Sequence, residues 1–382
     1  MQFKRQKALR VAGIFAGIGG FEVGLERAGH KSVLLCENDS AAQAVLRERF
    51  KRRLLIADVA EIESVPGDVD LLAAGFPCQD LSQVGRTQGL NGKKSTMVSH
   101  VFRMLRQNRT PWVLLENVPF MLQLHRGAMI DHIVRSLEDL GYRWAYRTVD
   151  TRAFGIPQRR HRVFLLASIH GDPSSVLLSQ DAGPGSSVKA DIPPCGFYWT
   201  EGNRGLGWAP GCVPTLKGGS ALGIPSPPAI WMPNGRIMTA DIRDAERLQG
   251  FDADWTAPAE EVSTRGSRWR LVGNAVTTAV SEWLGLALRS SSSRAAPDAC
   301  ELDPQSAWPK AAFGEKGKRH AALVSMWPVM RAMTRIDSFL EFPCRPLSRK
   351  ATEGFYRRLM ASDLHYPPRF ARDLKKHLDH SQ

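Results

Sequence analysis

The chain has 382 residues, 43% of them hydrophobic and 23% charged, a globular balance that excludes wholesale disorder. Lys plus Arg is 51 against 38 Asp plus Glu. The net charge of +13 favours a polyanionic partner such as nucleic acid, although many solvated surfaces are as basic. Six cysteines (Cys36, Cys78, Cys195, Cys212, Cys300, Cys344) without a C-x-x-C pair are too sparse for a disulfide scaffold, so a reducing compartment and no metal are expected.

The length predicts two domains, or one domain with an insert and a tail. Lys4, Arg5, Lys7 and Arg10 lead into an apolar stretch, as in a signal peptide. Gly13, Gly17, Gly19, Gly20 and then Glu22 break that stretch, so it reads better as a strand entering a glycine turn. No apolar run is expected to reach the ~18 residues a membrane span needs. From 9 to 166, short apolar runs read as strands: 9–15, 33–36, 71–74, 112–115 and 163–167. Helical spacing separates them. Asp39 or Ser40 caps a helix over 41–49, and Ile130, Ile133, Val134, Leu137 and Leu140 mark another that stops at Gly141. This alternation predicts an α/β fold with a parallel sheet covered on both faces. From about 170 to 235 Gly, Pro and Ser become dense and helical spacing vanishes. Helical signals return at 240–249 and 273–288. A polar linker opens at Ser290, and the stretch from about 321 to 376 is again apolar and basic with helix-like spacing.

Phe15-Ala16-Gly17-Ile18-Gly19-Gly20 follows the first strand. Glycines there let the backbone approach a ligand and take positive φ, though Glu22 stands where G-x-G-x-x-G would have its third glycine. Glu37 ends the second strand, where an acid takes the hydroxyls of a ribose. Asp58 follows the run 54–56 and is placed to accept from an adenine amino group. Together these describe a nucleoside pocket. A tight turn with helix-capping acids explains the same residues equally well.

Gly75-Phe76-Pro77-Cys78-Gln79 follows the strand 71–74. A lone cysteine is more often a small core residue, but Gln79, Asp80 and Ser82 are poor core surroundings. Glu116 comes right after the strand ending at Leu115, so it belongs at the same sheet edge. In Gln158-Arg159-Arg160-His161-Arg162, alternation along an extended segment points Arg160 and Arg162 the same way. A thiol, a carboxyl group and two guanidiniums then converge on one edge. A salt-bridged surface is the rival reading for the charged three.

These residues resemble the cytosine-C5 DNA methyltransferases. Phe15 to Gly20 is similar to the family's cofactor glycine motif, Pro77-Cys78 to its catalytic Pro-Cys, and Glu116-Asn117-Val118 to its Glu-Asn-Val. Gln158 to Arg162 is similar to its Gln-Arg-Arg-x-Arg, Arg247 to Phe251 to the stretch after the recognition region, and Gly273-Asn274-Ala275-Val276 to the last motif. The six stand in family order over residues 9 to 288. Asn38 stands where the family often has an aromatic residue and Gly13 where it often has an acid.

The resemblance implies a Rossmann-like sheet dependent on S-adenosylmethionine, a smaller loop-rich target-recognition domain, and a C-terminal helical extension. The implied division is 1–169 catalytic, 170–236 target recognition, 237–289 catalytic again, 290–320 linker and 321–382 extension. Cys78, Glu116, Arg160 and Arg162 would be catalytic. Phe15, Gly17, Ile18, Gly19, Gly20, Glu37, Asp58, Pro77 and Asn274 would bind S-adenosylmethionine and its product S-adenosylhomocysteine. Ser82, Arg86, Arg204, Thr215 and Lys217 would touch duplex DNA. Cys78 would attack C6 of a flipped-out cytosine while Glu116 contacts N3, and the loop Ser82–Ser95 would close over the DNA. The implied setting is a monomer on DNA in the bacterial cytoplasm, with no membrane contact and with room for a cognate restriction endonuclease. An RNA cytosine methyltransferase, an inactive DNA-binding homologue and a nicotinamide-binding enzyme are the competing readings. The size of the unit after the arginine motif favours DNA over RNA. Intact Cys78, Glu116, Arg160 and Arg162 speak against inactivity, and a nicotinamide enzyme leaves Cys78 unexplained.

Overall fold

The computed structural model describes residues 7–76, 97–185, 193–203, 205–218, 225–264, 266–290, 297–303 and 305–380. The chain divides into two compact units. The first takes residues 1–150, 161–184 and 276–330, and the second takes 151–160, 185–275 and 331–382.

The first unit is built on a ten-stranded sheet. Its strands are β1 (Arg10–Ile14), β2 (Lys31–Cys36), β3 (Leu54–Ile56), β4 (Leu71–Gly75), β5 (Trp112–Asn117), β6 (Arg143–Asp150), β7 (His161–Ser168), β8 (Ala299–Glu301), β9 (Ala311–Glu315) and β10 (Lys318–Ala322). The spatial order is β8-β10-β9-β6-β7-β5-β4-β1-β2-β3. Strands β1 to β5 run parallel, and every pairing from β5 through β7, β6 and β9 to β8 is antiparallel. The sheet is therefore mixed rather than wholly parallel. Five of its strands match apolar runs of the sequence. The strands β8 to β10 occupy the stretch expected to be linker and the start of the extension.

Both faces are covered by helices. Helices α3 (Met97–Gln107) and α4 (Ala128–Asp139) send Val101, Phe102, Leu105, Ile130, Ile133 and Leu137 into one core with Ala12, Ile14, Leu72, Ala74, Val113 and Leu115 of the strands. Alternation then turns Gly13 to the opposite face, where α1 (Gly20–Arg27) packs against α5 (Thr278–Arg289). Helix α2 (Ser40–Arg49) starts as expected: the Asp39 carboxylate accepts the N–H groups of Ala41 and Ala42 at 3.0 Å.

In the second unit a five-stranded antiparallel sheet orders its strands as 209–210, 195–197, 229–231, 237–239 and 345–346. The helices Arg349–Met360 and Pro368–His380 pack on it. Phe355, Leu359, Phe370 and Leu374 share one buried cluster with Cys195, Phe197, Trp231 and Ile237. Phe370 lies 5.0 Å from Phe197 and 4.8 Å from Trp208, ring centre to ring centre. The C-terminal helices are thus core of this unit, not a separate extension. Residues 237–275 also group here rather than with the first unit. The stretch Ser267–Arg289 has the length and mean composition of a membrane span, but it holds two helices, Ser267–Asn274 and Thr278–Arg289, and 78% of its most apolar window is buried, as in a protein core.

Candidate active site

In the first unit the chemistry-bearing residues gather where β1, β2, β4 and β5 end. Leaving β1, the chain takes positive φ at Phe15 (57°), Gly17 (57°) and Gly19 (86°). The turn is pinned to the end of β2 by Ala16 N–H donating to the Cys36 carbonyl at 3.0 Å. A β-carbon at Gly17 would meet nothing within 4 Å, so this side of the turn is open. At Gly20 a β-carbon would collide with the Val276 carbonyl, so glycine is required there for close packing.

Glu37 follows β2 directly. One carboxylate oxygen accepts Gly17 N–H at 2.8 Å and the other accepts Asp39 N–H at 2.9 Å. Burial pushes its pKa up, and these backbone donors oppose the rise. Each oxygen keeps a further lone pair. An open glycine turn beside a two-oxygen acceptor fits the ribose side of a nucleoside cofactor. Ile18 is buried, Phe15 half-buried. Asp58 is exposed and caps the turn at Val59–Glu61, accepting Ala60 N–H at 2.8 Å.

The carboxylate expected beside the thiol stands one strand over. Gly75 is in register with Glu116, and a β-carbon on Gly75 would lie 3.4 Å from Glu116 Oε2. Glu116 is largely buried and ion-pairs with Arg162, Oε1 to Nε 2.9 Å. Register explains the meeting: Glu116 faces Phe164 across β5 and β7, and Arg162 is two residues from Phe164 on the same side. Asn117 Nδ2 donates to the Phe76 carbonyl at 3.0 Å, and its Oδ1 accepts Val118 N–H at 2.8 Å. It therefore clamps the end of β4, one residue before Pro77. The sequence motif contains Asn117 but gives it no task of its own. Pro77, Cys78, Ser82, Arg86 and the loop Ser82–Ser95 lie outside the described residues, as does Arg204.

Arg160 does not share Arg162's partner. The extended segment is interrupted at residue 160: Gln158–Arg159 pair with Val213–Pro214 in the second unit, and β7 starts at His161. In that unit the buried Arg160 donates to the carbonyls of Leu216 (3.3 Å), Gly273 (3.2 Å) and Ala275 (2.7 Å). Gln158 works beside it, donating to the Leu248 carbonyl and accepting Leu216 N–H. These bonds tie the arginine motif to the last two motifs. Thr215 spends its hydroxyl proton on the Arg159 carbonyl at 2.9 Å. Lys217 pairs with Glu201 and lies 3.7 Å above the Tyr198 ring. Asn274 is exposed at the end of its helix, next to Gly218.

A mixed sheet whose parallel strands end in an open glycine turn, a ribose-type acid and a buried carboxylate has the architecture of the Rossmann-like methyltransferase class. Residues 9–184 match the family model described as C-5 cytosine-specific DNA methylase. The chain is 44% identical to the type II methyltransferase M2.BsuMI of Bacillus subtilis (strain 168), covering 96% of this chain and 98% of that protein. It is 26% identical to the type II methyltransferase M.MspI of Moraxella sp, over 76% of this chain and 73% of that one. Among solved structures, the Dnmt2 methyltransferase of S. pombe aligns with a TM-score of 0.55 at 17% identity, covering 73% of this chain and 98% of its own, a likeness of fold. The chain belongs to the cytosine-C5 DNA methyltransferase family, and it is a DNA (cytosine-5)-methyltransferase.

Proposed function

We propose that this enzyme methylates C5 of a cytosine flipped out of a specific duplex sequence, through a transient bond between Cys78 and C6. The observation that carries the reading is the Glu116–Arg162 pair at the end of β5, beside the strand that leads into Cys78. Cytosine C5 is a weak nucleophile. A thiolate adding to C6 places the displaced electron pair on the ring, and a carboxyl group at N3 stabilises that charge by supplying a proton. Arg162 fixes the orientation of Glu116 and adds positive potential where a thiolate must form, since free cysteine has a pKa near ~8.5. S-adenosylmethionine supplies an electrophilic methyl group. Carbon 5 takes that methyl, a base removes the C5 proton, and elimination returns Cys78 as thiolate.

The glycine turn, Glu37 and Asp58 hold the nucleoside half of the cofactor in this reading, with Pro77 and Asn274 as further contacts. Ser82, Arg86, Arg204, Thr215 and Lys217 remain the proposed DNA contacts, with Thr215 bonded to the Arg159 carbonyl and Lys217 beside Glu201 and the Tyr198 ring. Because the cytosine is buried in the duplex, extruding it costs a few kcal/mol of stacking and pairing. The enzyme acts as a monomer on DNA in a bacterial cytoplasm, either as the modification half of a restriction-modification pair or as an orphan modification enzyme. The type II naming of its relatives supports that setting.

Duplex DNA carrying 5-fluorocytosine at the target tests the chemistry, because fluorine blocks the last proton removal. The expected result is a covalent protein–DNA adduct that needs the cofactor and is absent in Cys78→Ala. Active enzyme that forms no adduct would overturn the thiolate mechanism, and methyl transfer to tRNA alone would overturn the DNA target.

A further inference from the structure

The second unit contains a cleft of about 680 Å³ that no step of methyl transfer uses. Arg236 borders it from the turn before the strand 237–239, Arg349 from the first turn of its helix, and Lys376 and His380 from the last helix. Arg236, Arg349, Lys376 and His380 are exposed. Asp373 is the one acid on the lining. Its carboxylate accepts Trp231 Nε1–H at 2.9 Å and lies 3.4 Å from the Arg369 guanidinium, so its charge is met within its own wall. The cleft thus presents three permanent cations from three elements, with one neutralised acid. The positive end of the twelve-residue helix Arg349–Met360 opens beside it.

The walls are rigid. Leu347, beside Arg349, and Leu374, beside Asp373, are buried in the aromatic cluster that forms the core of this unit. The backbone that carries the cations is therefore anchored, unlike that of a loose basic tail, so less chain entropy is lost when they meet an anion. The cleft lies outside the matched family region, 9–184. On the helix that carries Arg349, Arg358 is turned inward, donating to the carbonyls of Glu201 and Trp199 at 2.8 Å each.

We propose that this cleft grips the sugar–phosphate backbone of duplex DNA flanking the methylated site, adding affinity without reading sequence. The inference rests on the DNA methyltransferase assignment. A backbone grip matches the chemistry: cations carried on three separate elements complement the repeating charge of the phosphates, which take half or more of the hydrogen bonds in protein–DNA contacts.

The test is equilibrium binding of a long duplex across a salt series, comparing the full-length protein with Arg236→Ala/Lys376→Ala. Each phosphate left without its cation lowers the slope of log affinity against log salt by about 0.9, so the double variant is expected to shed nearly 2. Affinity should fall roughly tenfold or more at about 0.15 M salt, equally for target and unrelated duplexes. The charge-keeping pair Arg236→Lys/Lys376→Arg should restore most of the slope. An unchanged slope in a variant with wild-type Tm and cofactor affinity overturns the proposal. A loss confined to the target sequence also overturns it, because that signals base reading. If the wild-type protein methylates DNA while the double variant keeps its slope, only the cleft assignment falls. If the wild-type protein methylates no DNA, the parent reading fails instead.

Discussion

Glu22 shows how far burial can override a local preference. It lies in the first turn of α1, where a negative charge gains ~0.3–1 kcal/mol from the helix dipole. Yet it is fully buried, and among the described residues neither carboxylate oxygen has a hydrogen-bond partner. Loss of solvation, opposed by its own backbone N–H and reinforced by Glu26 and Glu37, pushes its pKa up to about 8. It fits only because position 13 is glycine: a β-carbon there would collide with its carboxylate. The sequence shows both residues but not that they meet, because the meeting depends on how α1 lies on β1. Glu37 and Glu116 were legible for the opposite reason, since a strand end alone determines where an acid sits. Because the folded pKa is raised above an unfolded value near ~4.3, Glu22 disfavours folding once the unfolded chain ionises. Its contribution is harmless below pH ~4 and grows as pH rises towards 8, reaching at most about 5 kcal/mol. Urea unfolding of Glu22→Gln should therefore show a flatter dependence on pH between about 5 and 8 than the wild type. Parallel curves would mean that Glu22 ionises freely in the fold.

At the scale of elements, packing across α1 and α5 holds the glycine turn in place. A β-carbon at Gly24 would collide with Ser281 Oγ and with the Thr278 carbonyl, and Ser281 Oγ donates to the Gly20 carbonyl at 2.7 Å. Alanine normally improves a helix interior by ~1 kcal/mol over glycine. Overpacking against backbone atoms costs about 1–3 kcal/mol and here wins. Gly24→Ala is thus expected to lose up to about 2 kcal/mol net and to weaken cofactor binding, read by thermal unfolding and calorimetry. A more stable variant would show that the two helices part easily. Elements that the sequence hid share a physical reason. Strand β6 was missed because its centre is Arg147, a charged residue that reads as surface. In the fold Arg147 is buried, bonded to the carbonyls of Ser325, Leu177 and Gln180 and to Asp181. Strands β9 and β10 read as linker because they combine small residues with charges, and their stability comes from the ladder onto β6. Arg160 was aligned with Arg162 by alternation, a rule that holds only while a segment stays in one strand.

At the scale of the whole molecule, the sequence made the last sixty residues legible as folded and basic but not what they fold against, since an amphipathic helix does not announce its partner. The structure gives the partner as the five-stranded sheet of the second unit, through Phe355, Leu359, Phe370 and Leu374. Burying each such side chain stabilises by ~1.5–3 kcal/mol, so the four together supply ~6–12 kcal/mol. That is comparable to the ~5–15 kcal/mol net stability of a whole domain. Deleting residues 331–382 should therefore unfold the second unit as a block and leave the first unit, with its own sheet and glycine turn, able to fold. The expected signature is protease sensitivity across 193–275, loss of DNA binding, and retained affinity for S-adenosylhomocysteine by calorimetry. A truncated chain that resists protease and binds DNA like the wild type would place the core of the second unit elsewhere. A chain that loses cofactor affinity as well would show that the two units fold only together.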